Sequence, residues 1–161
     1  MSVARSELIT CLDEARDYYR SNLSGVRRVT CCGHRIEIVF PFEATHLYSV
    51  ELKGDLPDGA ALVTQPISNG KFEARMFRLE RARLMDFVLP AISKFTVSIP
   101  GYGQHGREKR VLHGPKLPSG EYMRVILRPG PGIAWTCVSA FPVNHSAWMD
   151  AYRAKRAKFP P

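Results

Sequence analysis

The chain has 161 residues, of which 45% are apolar and 24% charged, as in a protein that folds around a core of its own rather than a disordered segment. Its 23 Lys and Arg outnumber 15 Asp and Glu, and the resulting net charge of +8 favours polyanionic partners. Four cysteines (Cys11, Cys31, Cys32, Cys137) form no CxxC pair and have no histidine at zinc-ligand spacing, and no apolar run approaches the ~20 residues of a membrane span. The expectation is a reduced, cytoplasmic protein with no metal, cofactor or membrane partner, and the charged first 22 residues do not read as a signal peptide.

In chain order, Ser2 or Ser6 is placed to cap a helix reaching about Leu23, with Leu8, Cys11, Leu12, Ala15, Tyr18 and Tyr19 at helical spacing and Gly25 as its stop. Val26 to Cys32 and His34 to Phe40 flank a Cys-Gly break and predict a hairpin. Thr45 to Lys53 alternates as a strand, Gly54 to Gly59 is a loop, and Ala60 to Thr64 is a further short strand. Phe72 to about Ile92 carries an apolar stripe at helical spacing (Phe77, Leu84, Val88, Ala91), with Pro90 expected to end it near Leu89. Lys94 to Ile99 is strand-like, and Pro100 to Gly106 is a glycine-rich loop containing His105. Three strands then follow between Arg107 and Val143, broken at Leu117–Gly120 and Pro129–Gly132, and a tail from Asn144 forms a short helix before turning basic. The expected fold is one α+β domain over 1–161, with an N-terminal helix and a second helix packed on an antiparallel sheet that ends in a three-stranded meander. Within it 1–71 is a helix-and-hairpin part, 72–143 the catalytic core, and 144–161 a basic tail.

Polar residues concentrate in the meander. Met123, Val125 and Leu127 form an apolar row, so Tyr122, Arg124, Ile126 and Arg128 share the opposite face, where two guanidinium forks suit phosphate oxygens. Arg78 and Arg81, three apart in the preceding segment, are candidates for further phosphate contacts. His105 and His113 have the imidazoles that acid–base chemistry near neutral pH requires, and Lys116 carries a charge able to stabilise a phosphorane. Ser139 and Phe141 close the last strand with a hydroxyl for a phosphate and a ring for a base.

The order of basic strand, His-Gly turn, RVILR strand, glycine turn and Ser-Ala-Phe-Pro strand resembles the barnase/EndoU/colicin/RelE (BECR) superfamily over roughly residues 77–143. The resemblance implies N-terminal helices on a four-stranded antiparallel sheet and a metal-independent endoribonuclease, deployed as a bacterial or phage-associated toxin. It implies His105 and His113 as base and acid in either order, Lys116 on the transition-state charge, Ser139 on the phosphate and Phe141 on a base. Lys116 lies close to His113, which leaves Arg124 or Arg128 as alternatives for its role. The partners implied are RNA and an acidic immunity protein or antitoxin. Rival readings are a nucleic-acid-binding module that does not cut, a phage structural protein, and an ADP-ribosyltransferase-like enzyme suggested by Val111-Leu-His-Gly114. The last lacks a glutamate anywhere after Glu121.

Overall fold

The computed structural model describes residues 5–102 and 108–161. In chain order the elements are α1 (Leu12–Asn22), β1 (Gly25–Cys31), β2 (His34–Phe40), β3 (Ser49–Glu51), β4 (Leu62–Pro66), β5 (Phe72–Phe77), α2 (Leu79–Ala82), α3 (Val88–Ser93), β6 (Val97–Tyr102), β7 (Glu108–Lys116), β8 (Tyr122–Pro129), β9 (Trp135–Val143) and α4 (His145–Arg153). The class is α+β, as the periodicity predicts. The chain divides into two compact units, the first joining Met1–Ser24 to Pro41–Asp86 and the second joining Gly25–Phe40 to Phe87–Pro161.

In the first unit α1 buries Ala15, Tyr18 and Tyr19 on one side, and the strands form a small sheet in the order β3-β5-β4, antiparallel throughout. Its core includes Ile9, Leu47, Tyr48, Val63, Ala82 and Met85. Buried Arg75 is satisfied by the Ser49 hydroxyl at 2.8 Å, the Ser49 carbonyl at 3.1 Å and Glu73 at 3.1 Å. Three expectations are corrected here. The first helix begins at Leu12 rather than at Ser2 or Ser6, because Ser6–Leu8 forms a separate 3-10 turn whose Ser6 hydroxyl donates to the Arg83 carbonyl at 2.9 Å. Thr45–Leu47 is likewise a 3-10 turn, leaving only Ser49–Glu51 as strand. The long helix from Phe72 to Ile92 does not form. Phe72–Phe77 is a strand held between β3 and β4, and only short helices follow it.

The second unit is a six-stranded sheet in the order β1-β2-β9-β8-β7-β6. The hairpin β1–β2 and the meander β6–β9 form as expected, and β2 joins β9 in the sheet's one parallel pair, Ile38 opposite Trp135 and Val39 opposite Thr136. The row Met123, Val125, Leu127 is buried, and α3 lies against β7 and β8 with Val88, Ala91 and Ile92 buried. Gly114 makes this approach possible, since a Cβ there would sit 2.7 Å from the Ala91 Cβ. Pro90 lies within the first turn of α3, where no intrahelical N–H is required, instead of ending a longer helix. Asn144 caps α4 by accepting from the Ala147 N–H at 2.8 Å. The tail then returns to the sheet through Phe159, whose ring meets Phe95 and Trp135 edge-on at 6.0 and 5.2 Å.

Candidate functional site

Sheet register brings His113, Lys116, Arg124, Ser139 and Phe141 to one face of the second unit. Val97, His113, Arg124 and Phe141 are successive partners across β6, β7, β8 and β9, and the next row is Ile99, Val111, Ile126 and Ser139. Two bulges decide which side chains share that face. Between His113 and Lys116, β7 advances three residues while β8 advances two, so Lys116 falls opposite Tyr122 on the His113 side instead of behind it. Val138 is the extra residue in β9, which turns Ser139 and Phe141 to the Arg124 side while Cys137 pairs with buried Leu127.

His113 is fully buried, and its Nε2 accepts from Arg124 Nε at 2.8 Å. An imidazole nitrogen that accepts is unprotonated, so the neutral ring carries its hydrogen on Nδ1. That Nδ1 is buried and finds no partner among the described residues. Burial, reinforced by the Arg124 charge, pushes the His113 pKa down from 6.5 to about 4. At neutral pH the ring therefore holds the guanidinium in place as a hydrogen-bond acceptor. Arg124 is half-buried, lies 5.8 Å over the Phe141 ring, and makes no hydrogen bond through its two terminal nitrogens to the described residues. Ser139 is nearly buried and its hydroxyl likewise donates to none of them, while Lys116 and Arg128 are exposed. The arrangement sets a fork of N–H donors with no acceptor among the described residues, a hydroxyl, a lysine and an aromatic ring on one sheet face, groups able to hold a phosphate and to stack on a base.

His105 lies outside the described residues. Tyr102 pairs with Glu108 at one end of the β6–β7 hairpin, and His113 pairs with Val97 at the other. Arg78 and Arg81 belong to the first unit, where the Arg78 N–H donates to the Tyr48 carbonyl and Arg81 donates to the Ser49 carbonyl at 2.8 Å. Among the described residues no group of three or more His, Cys, Asp or Glu is placed to hold a metal ion, and no helix is long and apolar enough to cross a membrane.

Sequence reasoning passed over a stack beside this face. Tyr122 lies 4.7 Å from Trp148, Trp148 lies 5.3 Å from Tyr152, and Arg156 covers Tyr152 at 4.4 Å. His145 stacks on Trp148 at 5.7 Å and brings Nδ1 to 3.5 Å from the Tyr122 hydroxyl. His145, Trp148 and Tyr152 fall on one helical stripe of α4, a signal present in the sequence, and Arg156 follows beyond the helix end. Their ring faces cover one another, so the stack anchors α4 to β8.

Compared with known proteins, the chain matches no family model, no curated protein and no solved structure.

Proposed function

We propose that the second unit is a metal-independent endoribonuclease that binds RNA on the face carrying Lys116, Arg124, Ser139 and Phe141. The observation behind this reading is the row His113–Arg124–Phe141, in which a buried neutral imidazole fixes a guanidinium whose outer N–H groups bond to none of the described residues, beside a ring. The antiparallel run β6–β9 with α3 against it supports this reading, while the sheet as a whole has six strands and one parallel pair where the BECR resemblance implies four antiparallel strands. In the reaction the 2′-hydroxyl gives up its proton as its oxygen bonds to phosphorus, the bond to the 5′-oxygen breaks as that oxygen takes up a proton, and a 2′,3′-cyclic phosphate forms. Arg124 and Ser139 hold the phosphoryl oxygens and Lys116 offsets the charge of the phosphorane. His113 acts as a positioning residue through Arg124, and His105 remains the candidate for moving the proton. The same face is where an acidic antitoxin or immunity protein would neutralise the basic charge in a toxin setting.

A second reading, RNA binding without cleavage, is favoured by the complete burial of His113. One experiment separates the two. Total tRNA is incubated with the protein in EDTA, beside the Arg124→Ala and Ser139→Ala variants, with folding checked by circular dichroism. Cleavage to cyclic-phosphate ends that falls about 100-fold in Arg124→Ala supports the nuclease. Intact RNA bound with a salt dependence that Arg124→Ala flattens supports the binding module. Neither cutting nor binding refutes both.

A further inference from the structure

The first unit contains a polar cavity of about 280 Å³ between one side of α1 and the segment that follows Pro41. Arg16 and Arg20, four apart on α1, both line it, as do Phe42, Tyr48 and Thr64. Two arginines one turn apart repel each other and weaken a helix unless an anion lies between them. Glu43 answers only one of them, reaching Arg20 at 3.7 Å. Arg16 has no carboxylate within ion-pair distance among the described residues, and its charge lies close enough to Tyr48 to act on the phenol. Burial raises the Tyr48 pKa while the Arg16 charge opposes the rise, so the phenol keeps its proton and can donate it in a hydrogen bond. Phe42 stands at the rim with 66% of its surface exposed, one of the most exposed large apolar side chains described, with the Arg20 guanidinium 5.0 Å from its ring centroid. A cation without a counter-ion, a phenol donor and an exposed ring around one cavity match a ligand with an anionic end and a flat apolar end. The volume exceeds what an inorganic phosphate would fill and suits a ligand near the small end of the usual ~300–1,000 Å³ range.

We propose that this pocket binds a nucleoside monophosphate, with the phosphate on Arg16 and Arg20 and the base against Phe42. A free nucleotide and the terminal nucleotide of a phosphorylated RNA present the same groups. The site lies wholly in the first unit and stands independently of any nuclease activity in the second.

The test is titration calorimetry of the full chain with AMP, adenosine and inorganic phosphate, on wild type and on Arg16→Gln, Phe42→Ala and Arg124→Ala. The expected result is saturable AMP binding, weakened at least about ten-fold when the base or the phosphate is removed from the ligand, and about ten-fold or more by Arg16→Gln. Phe42 is exposed, so Phe42→Ala should keep its fold; it weakens AMP and leaves inorganic phosphate unchanged. Arg124→Ala binds AMP as wild type does. Competition by a 5′-phosphorylated trinucleotide but not its unphosphorylated form assigns the ligand to an RNA end, and competition by neither assigns it to the free nucleotide. No AMP binding at millimolar concentration, or affinity unchanged in both Arg16→Gln and Phe42→Ala, overturns the proposal. Loss of AMP binding in Arg124→Ala alone overturns it as well.

Discussion

Replacing His113 by glutamine isolates the energetics of the imidazole that holds Arg124. The carboxamide oxygen introduced by His113→Gln would accept the Arg124 N–H but would not titrate, so the two proteins differ in their response to pH. In the unfolded chain the His113 imidazole takes up a proton near pH 6.5, whereas in the fold burial and the Arg124 charge delay uptake to about pH 4. Between those values the unfolded state binds the extra proton, so wild-type stability falls as pH falls from about 6.5 towards about 4. A displacement of that size corresponds to roughly 2.5 kcal/mol lost between about pH 7 and about pH 4.5, on the order of magnitude that linkage allows. His113 is fully buried, so solvent screening removes little of it. Other groups that titrate in this range, such as His46, whose pKa burial also lowers, are common to both proteins and cancel in the comparison. Urea unfolding of both proteins across this pH range is the assay. His113→Gln should lose about 2 kcal/mol less than wild type over the same interval. Parallel curves for the two proteins would show that the ring is charged or solvated in the fold, and would refute an uncharged acceptor behind Arg124.

Three further expectations rest on separate contacts. Gly114→Ala drives a methyl to within 2.8 Å of the Ala91 Cα, and urea unfolding should record about 1–3 kcal/mol of destabilisation. Cys11 and Cys32 are exposed, whereas burial pushes Cys31 up to about 11 and Cys137 up to about 12. Ellman's reagent should therefore titrate two thiols promptly in the native protein and the other two only on unfolding. Asn144→Ala removes the side-chain acceptor from the Ala147 N–H and should cost α4 about 1 kcal/mol, read by circular dichroism and by Trp148 fluorescence beside Tyr122.

Local pattern was enough for the hairpin over β1 and β2, for the alternation in β8 that sets Arg124 opposite the buried row, and for a short helix after Asn144. It failed at Phe72–Phe77. Glu73, Ala74, Arg75 and Met76 are good helix formers, and only pairing with β3 and β4 makes that segment a strand. At the candidate site, residue types were legible and their facing was not. Strict alternation puts Lys116 behind His113, and Cys137 on the same side as Ser139, and a bulge reverses each arrangement. The burial of His113 and its bond to Arg124 left no trace in the sequence, because a histidine followed by Gly-Pro reads as the end of an exposed strand. The pocket beside α1 was missed for a similar reason. Arg16 and Arg20 look like an ordinary solvated helix face until Phe42, Tyr48 and Thr64 are seen on the other wall.

The parallel pair between β2 and β9 bears on how the chain emerges from the ribosome. The hairpin β1–β2 is complete by Phe40, but the strand that flanks it in the sheet starts only at Trp135. At ordinary rates of elongation that interval is several seconds, during which a two-stranded ribbon with its β2 edge unpaired has to wait. Meanwhile Pro41–Asp86 is synthesised and belongs with the helix made before the hairpin. The long sequence separation of the β2–β9 contacts predicts slow closure of the sheet, and a nascent chain stalled before Trp135 would present an unpaired β2 edge for chaperones to cover.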